Sequence, residues 1–189
     1  MRQVYSRLKL YKIGDSPPAP QFKIISSPNE WAKTLKSAHS KEYSDLQMDQ
    51  LHYWEELRSY AINKDSYVRL NQKPSAQHWY NVAIGRSGFE LSTTVNTREK
   101  RIGCELYINH PKSKSAFDQL YKQKEDIERE LGCSIEWQKL EDKKACRVAI
   151  YNKLSIENGT ERSEAIKWHY DKIQNFYKIF YTRIQNLIL

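Results

Sequence analysis

The sequence predicts an α+β domain: an antiparallel five-stranded sheet, built as a three-stranded meander, a helix and a hairpin, with helices packed on one face. Three observations carry that expectation. Apolar and polar residues alternate from residue 78 to 108, the period of half-buried strands. Before and after that stretch, apolar residues recur at spacings of three and four, the period of amphipathic helices. Turn-forming residues alone separate the alternating segments, so successive strands run antiparallel. The chain has 189 residues, enough for one domain plus a short additional segment.

The elements follow in order. Val4 to Ile13 mixes β-branched, aromatic and basic residues and reads as a basic strand. Three prolines in Gly14-Asp15-Ser16-Pro17-Pro18-Ala19-Pro20 exclude a helix and make an extended connector. A short apolar run spans Phe22 to Ile25. Ser27-Pro28-Asn29-Glu30 then supplies an N-cap, a proline at N1 and a glutamate at N3, the start of a short helix. Residues 1–40 are therefore expected to be one segment and 41–189 the α+β domain. Ser44-Asp45-Leu46-Gln47 opens a second helix with Leu46, Tyr53, Trp54, Leu57 and Ala61 on one stripe.

The meander has a legible register. With Arg86-Ser87 as a two-residue turn, Ile84 faces Phe89, Val82 faces Leu91 and Asn81 faces Ser92. Aligning Val95 with Ile102 sets Ser92 opposite Glu105 and Glu90 opposite Tyr107. A slip of one residue would mix apolar with polar faces. Ser113 or Ser115 opens a helix carrying Phe117, Leu120, Tyr121, Lys124, Ile127 and Leu131, with Gly132 placed to end it. Strands near 134–140 and 145–151 flank the turn Glu141-Asp142-Lys143-Lys144. A terminal helix over 160–187 carries Ile166, Tyr170, Ile173, Tyr177, Phe180 and Ile184.

That register sorts the side chains into two faces. The apolar one is expected under the helices. The other collects Trp79, Asn81, Glu90, Ser92, Glu105 and Tyr107, with room left by Ala83 and Gly103. It is a candidate ligand or nucleic-acid platform; the alternatives are a plainly solvated sheet face and a face buried against another domain. Arg98, Lys100 and Arg101, in the loop after the second strand, are candidate phosphate contacts.

The net charge is +8, of which +5 falls in residues 1–40. The excess favours an anionic partner such as DNA or RNA without proving one. Phosphate-loop, dinucleotide, zincin and nucleophile-elbow motifs are all absent. Glu141-Asp142-Lys143 matches half of a metal-dependent nuclease site but falls in a turn with no acidic partner before it. Cys104, Cys133 and Cys146 and the five histidines lack ligand spacing, so neither metal nor cofactor is expected. Without a signal peptide or a long apolar run, a reduced cytoplasmic setting and no membrane partner are expected.

Several strings carry a resemblance. Pro74-Ser75-Ala76-Gln77-His78-Trp79-Tyr80, Ile84-Gly85-Arg86-Ser87, Val95 to Gly103, Glu105-Leu106-Tyr107-Ile108, Trp137, Lys143-Lys144-Ala145 and Arg147 resemble a prokaryotic family known only as the domain of unknown function numbered 4268. The likeness covers about residues 45–185. It implies that the domain stands C-terminal to halves that look like restriction-type nucleases. Residues 8–22 resemble the end of such a half, whose core this chain lacks. Residues 1–40 then read as its remnant, with Met1 either a native start or a truncation. The signature residues Gln77, His78, Arg86, Asn96 and Arg147 become site candidates, and His78 is either an acid–base partner of Glu105 or a strand-entrance residue.

The expected function is a non-catalytic accessory module that binds nucleic acid or positions a nuclease-like domain. The alternatives are a protein-interaction or dimerisation module, and an enzyme with its site around Glu105.

Overall fold

The computed structural model of the chain describes residues 43–189, apart from Asn63, Asp65 and Asn158, and the backbone of residues 5–11 and 19–26. The chain divides into two compact units, Met1–Ser44 and Asp45–Leu189. In the first, strands β1 (Tyr5–Tyr11) and β2 (Ala19–Ser26) pair as an antiparallel hairpin. Pro20 stands opposite Leu10, one pair in from the end where the two strands connect. The helix expected after Ser27 lies outside the described residues.

The second unit is the α+β fold that the periodicity predicts. Helix α1 (Asp45–Ala61) buries Leu51, Tyr53, Trp54, Leu57 and Ala61. Leu46, expected on that stripe, is 47% exposed, and the buried stripe begins only at Gln50. Strands β3 (Trp79–Ala83), β4 (Phe89–Asn96) and β5 (Arg101–Ile108) form the meander. Its register is the one the alternation sets, with Asn81 opposite Ser92, Ser92 opposite Glu105, and Val95 opposite Ile102. The turn between β3 and β4 differs from expectation. Pairing ends at Ala83 and Glu90, and the left-handed conformations fall on Gly85 (φ 79°) and Gly88 (φ 82°). A tight turn centred on Arg86-Ser87 would have forced positive φ on residues bearing a Cβ.

The single helix expected over 113–131 is two, α2 (Ser113–Tyr121) and α3 (Lys124–Leu131). At the junction the Gln123 amide bonds back three residues to Leu120, and Gln123 leaves helical geometry at ψ 16°. The apolar stripe survives the break because Phe117, Leu120, Ile127 and Leu131 are all buried. Gly132 ends α3 with φ 68°. Strands β6 (Glu136–Gln138) and β7 (Cys146–Asn152) are antiparallel, but β7 lies inside the sheet, giving the order β3-β4-β5-β7-β6. Helix α4 (Thr160–Gln185) lies against β4 and β5 and also meets α1 and α3. The core clusters Val82, Leu91, Leu106, Ile108 and Val148 from the sheet with Leu57, Ile173, Phe176 and Phe180 from the helices. Among the described residues no helix is long and apolar enough to cross a membrane.

Polar groups inside this packing are specifically paired. His169 on α4 is fully buried, with Nε2 3.0 Å from the Gly103 carbonyl and Nδ1 2.7 Å from the Tyr53 hydroxyl. The carbonyl can only accept, so Nε2 carries the hydrogen and Tyr53 donates to Nδ1. One neutral imidazole thereby links α4, α1 and β5. Arg162, also buried, joins Asp49 and Glu56 of α1 at 2.9 Å each and donates to the Ile156 carbonyl. Arg86 donates from Nη1 to the carbonyls of Ile184 (2.5 Å) and Leu187 (3.0 Å), closing the C-terminal end of α4.

Burial depresses the His169 pKa from 6.5 to about 3. The unfolded chain therefore takes up a proton that the native state refuses. Stability declines as pH falls from about 6.5 towards 3, by about 1.4 kcal/mol per unit. Denaturant titrations between pH 6 and 5 should show that slope, and His169→Gln should flatten it; equal slopes refute the assignment. Arg86→Met should cost about 1.5–3 kcal/mol through lost charged hydrogen bonds, read as a lower denaturant midpoint at unchanged m-value. An unshifted midpoint refutes the cap.

Candidate functional site

On the sheet face away from α4, side chains alternate out of the core by the two-residue period. Glu105 occupies the middle of this face. Ser92 flanks it on β4 and Ala149 on β7, both small. Larger side chains stand around them: Trp79 on β3, Tyr107 on β5, and Arg147 and Tyr151 on β7. Small residues at the centre and large ones at the border make a basin of about 500 Å³, within the range of small-ligand sites.

Gly103 does not leave open room, contrary to the expectation from its missing side chain. Its cross-strand neighbour Tyr151 lies over it, and a Cβ there would come within 2.6 Å of Thr94 Oγ1 and 2.8 Å of the Tyr151 ring. The guanidinium of Arg101 stacks on that ring, 4.2 Å from its centroid, and pairs with Glu99 at 3.1 Å. The glycine thus seats an aromatic wall. Ala83 is exposed and does not line the basin.

The polar groups form two sets. In the first, the Ser92 hydroxyl donates to Asn81 Oδ1 and Asn81 Nδ2 donates to Glu90, each at 2.7 Å. In the second, Arg147 Nε lies 2.9 Å from Glu105 Oε2, with the guanidinium 6.0 Å from the Tyr107 ring. Burial raises the Glu105 carboxyl above its ordinary pKa, against the opposing charge of Arg147. The basin therefore holds two guanidiniums and two carboxylates and is close to neutral overall.

All six candidate face residues, Trp79, Asn81, Glu90, Ser92, Glu105 and Tyr107, line this one basin. His78, Asn96, Arg101 and Arg147 join them. His78 also enters the sheet through its backbone, its carbonyl accepting from Val95, and its ring sits edge-on to Trp79. Arg98 and Lys100 stay on the exposed β4–β5 turn, outside the lining. Asn96 shapes that turn by accepting from the Glu99 amide, and Lys100 takes φ 45°. Gln77 contributes its carbonyl to the Trp54 indole, and Arg86 caps α4, so neither belongs to the site. Glu141-Asp142-Lys143 is an exposed turn. Among the described residues no group of three or more His, Cys, Asp or Glu is placed to hold a metal ion.

Tyr151 is the aromatic lining residue that sequence reasoning missed. Its position on the polar face depends on β7 pairing with β5, and nothing local to either strand announces that partner.

The sequence model of a family described as "Domain of unknown function (DUF4268)" matches residues 50–184. No curated protein matches the chain, and no solved structure does.

Gly103→Ala should destabilise the domain by about 1–3 kcal/mol, the cost of overpacking, because Tyr151 must leave its seat. A melting midpoint within error of the wild type refutes this account of the wall.

Proposed function

The chain belongs to the DUF4268 family, and on that premise we propose that the basin binds nucleic acid, taking in one unpaired nucleotide. What supports this reading is the lining: aromatic walls from Trp79 and Tyr107 around a hydrogen-bonding floor, in about 500 Å³. A base offers a π-face to such walls and polar edges to such a floor, and stacking on an aromatic side chain contributes about 1–3 kcal/mol per base. A paired base in a duplex exposes neither to a basin. The exposed Arg98 and Lys100, on the turn that leads into Arg101, suit the flanking phosphates. On this reading the chain is a non-catalytic accessory module in the cytoplasm of a prokaryote. It holds single-stranded or locally opened DNA or RNA near a nuclease-like partner domain.

A second reading has its own support. Glu105 is buried, its pKa is raised, and it shares the basin with Asn81 and Tyr107. That is the environment of a general acid, and an enzyme acting on this face is the alternative.

The test is anisotropy of labelled single- and double-stranded oligonucleotides at stepped salt. Single strands should bind better. Three basic contacts should give a log–log salt slope of about −2, and Trp79→Ala should weaken binding about tenfold. Absence of binding at low salt overturns the reading, as does a duplex preference indifferent to Trp79→Ala.

A further inference from the structure

Resting on the nucleic-acid reading of the basin, we propose that Glu105 and Arg147 are its base-selective pair and that the base they select is guanine.

Glu105 is 7% exposed, and its carboxylate faces the Arg147 guanidinium. Arg147 Nε lies 2.9 Å from it, but the N–H is not aimed at the oxygen and is buried without a hydrogen-bond partner. The pair attract as charges, and the Arg147 Nε donor is left unspent. A buried donor or acceptor left unmade is costly and uncommon in native structures. The neighbouring Ser92, Asn81 and Glu90 behave in the opposite way, bonding to one another. The unspent Nε of Arg147 thus stands beside a nearly buried carboxylate, in the lining of a basin with aromatic walls.

The ligand edge that completes such a pair must offer donors to the carboxylate and an acceptor to the guanidinium. An ionised carboxylate only accepts, through two oxygens, and a guanidinium only donates. Guanine presents N1–H and the N2 amino group as two parallel donors, with O6 next to them as an acceptor. Adenine offers one exocyclic donor beside a ring acceptor. Cytosine offers one donor beside two acceptors, and thymine one N–H between two carbonyls. Guanine alone gives both carboxylate oxygens a donor while O6 meets Arg147. Trp79 and Tyr107, on opposite sides of Glu105, line the same basin and offer the ring an aromatic face. A duplex buries this edge in pairing, so recognition requires the unpaired base, as the basin does.

The experiment uses decathymidine strands with guanine, hypoxanthine or adenine at one central position, measured by anisotropy on the full chain. The guanine strand should bind about tenfold more tightly than the adenine strand, the scale of one bidentate base contact. Hypoxanthine lacks the N2 amino group and should fall between them. Glu105→Gln keeps the shape but removes one acceptor, and should bring the guanine-to-adenine ratio to about one. A melting curve shows that the variant is folded, and the three-base series on the wild type stands without it. Binding of all three strands with equal affinity overturns the guanine assignment and leaves the nucleotide basin standing. So does a ratio unchanged in Glu105→Gln. Failure of every strand to bind overturns both.

Discussion

A single neutral imidazole connects the layers of this domain. His169 reaches from α4 to the backbone of the central strand and receives a hydrogen bond from α1, all within a buried interior. Charging it there would leave an isolated cation in an apolar core. Its neutrality is therefore a condition for α1 and α4 to lie on the sheet together. With both helices on that side, the opposite face of β3, β4 and β5 remains available. The basin owes its position to this one-sided layering and its depth to small residues beside Glu105.

Much of this was legible in the chain, and the boundary of legibility is physical. Alternation fixes parity, and a turn of known length fixes register, so Asn81, Ser92 and Glu105 could be set in one row before any coordinates were known. The terminal helix was legible because Ile166, Tyr170, Ile173 and Phe180 repeat with its period. The insertion of β7 beside β5 was not, because strand partners distant in sequence are chosen by the packing of α2 and α3 between them. Arg147 could be flagged from family likeness, but its contact with Glu105 and the seating of Tyr151 on Gly103 depend on that pairing. The break at Gln123 was equally silent, since an apolar stripe reads alike across one displaced turn. Arg86 shows the converse. Family likeness makes it a site candidate, whereas its guanidinium serves the carbonyls of a distant helix end.

The charge of the chain gains meaning from the same geometry. Most of the +8 excess lies in residues 1–40, while the basin pairs its cations with carboxylates. On the proposed reading, attraction of a polyanion and discrimination among bases would be different tasks, carried by different residues. Exposed cations on the β4–β5 turn would act at long range and weaken with salt. Groups on the sheet would act at contact distance, where shape and donor pattern decide.

The placement of β7 has a kinetic consequence. β3, β4 and β5 join through short turns, whereas β7 must close a loop of nearly forty residues to reach β5, an ordering cost that grows with loop length. Local hairpins form sooner than such distant pairings. The basin takes Trp79, Glu105 and Tyr107 from the early part and Arg147 and Tyr151 from the late strand. A nascent or partly unfolded chain can hold the meander and still have no basin. The proposed ligand capture would therefore be a property of the finished sheet alone, and the appearance of binding during refolding would mark the moment β7 enters.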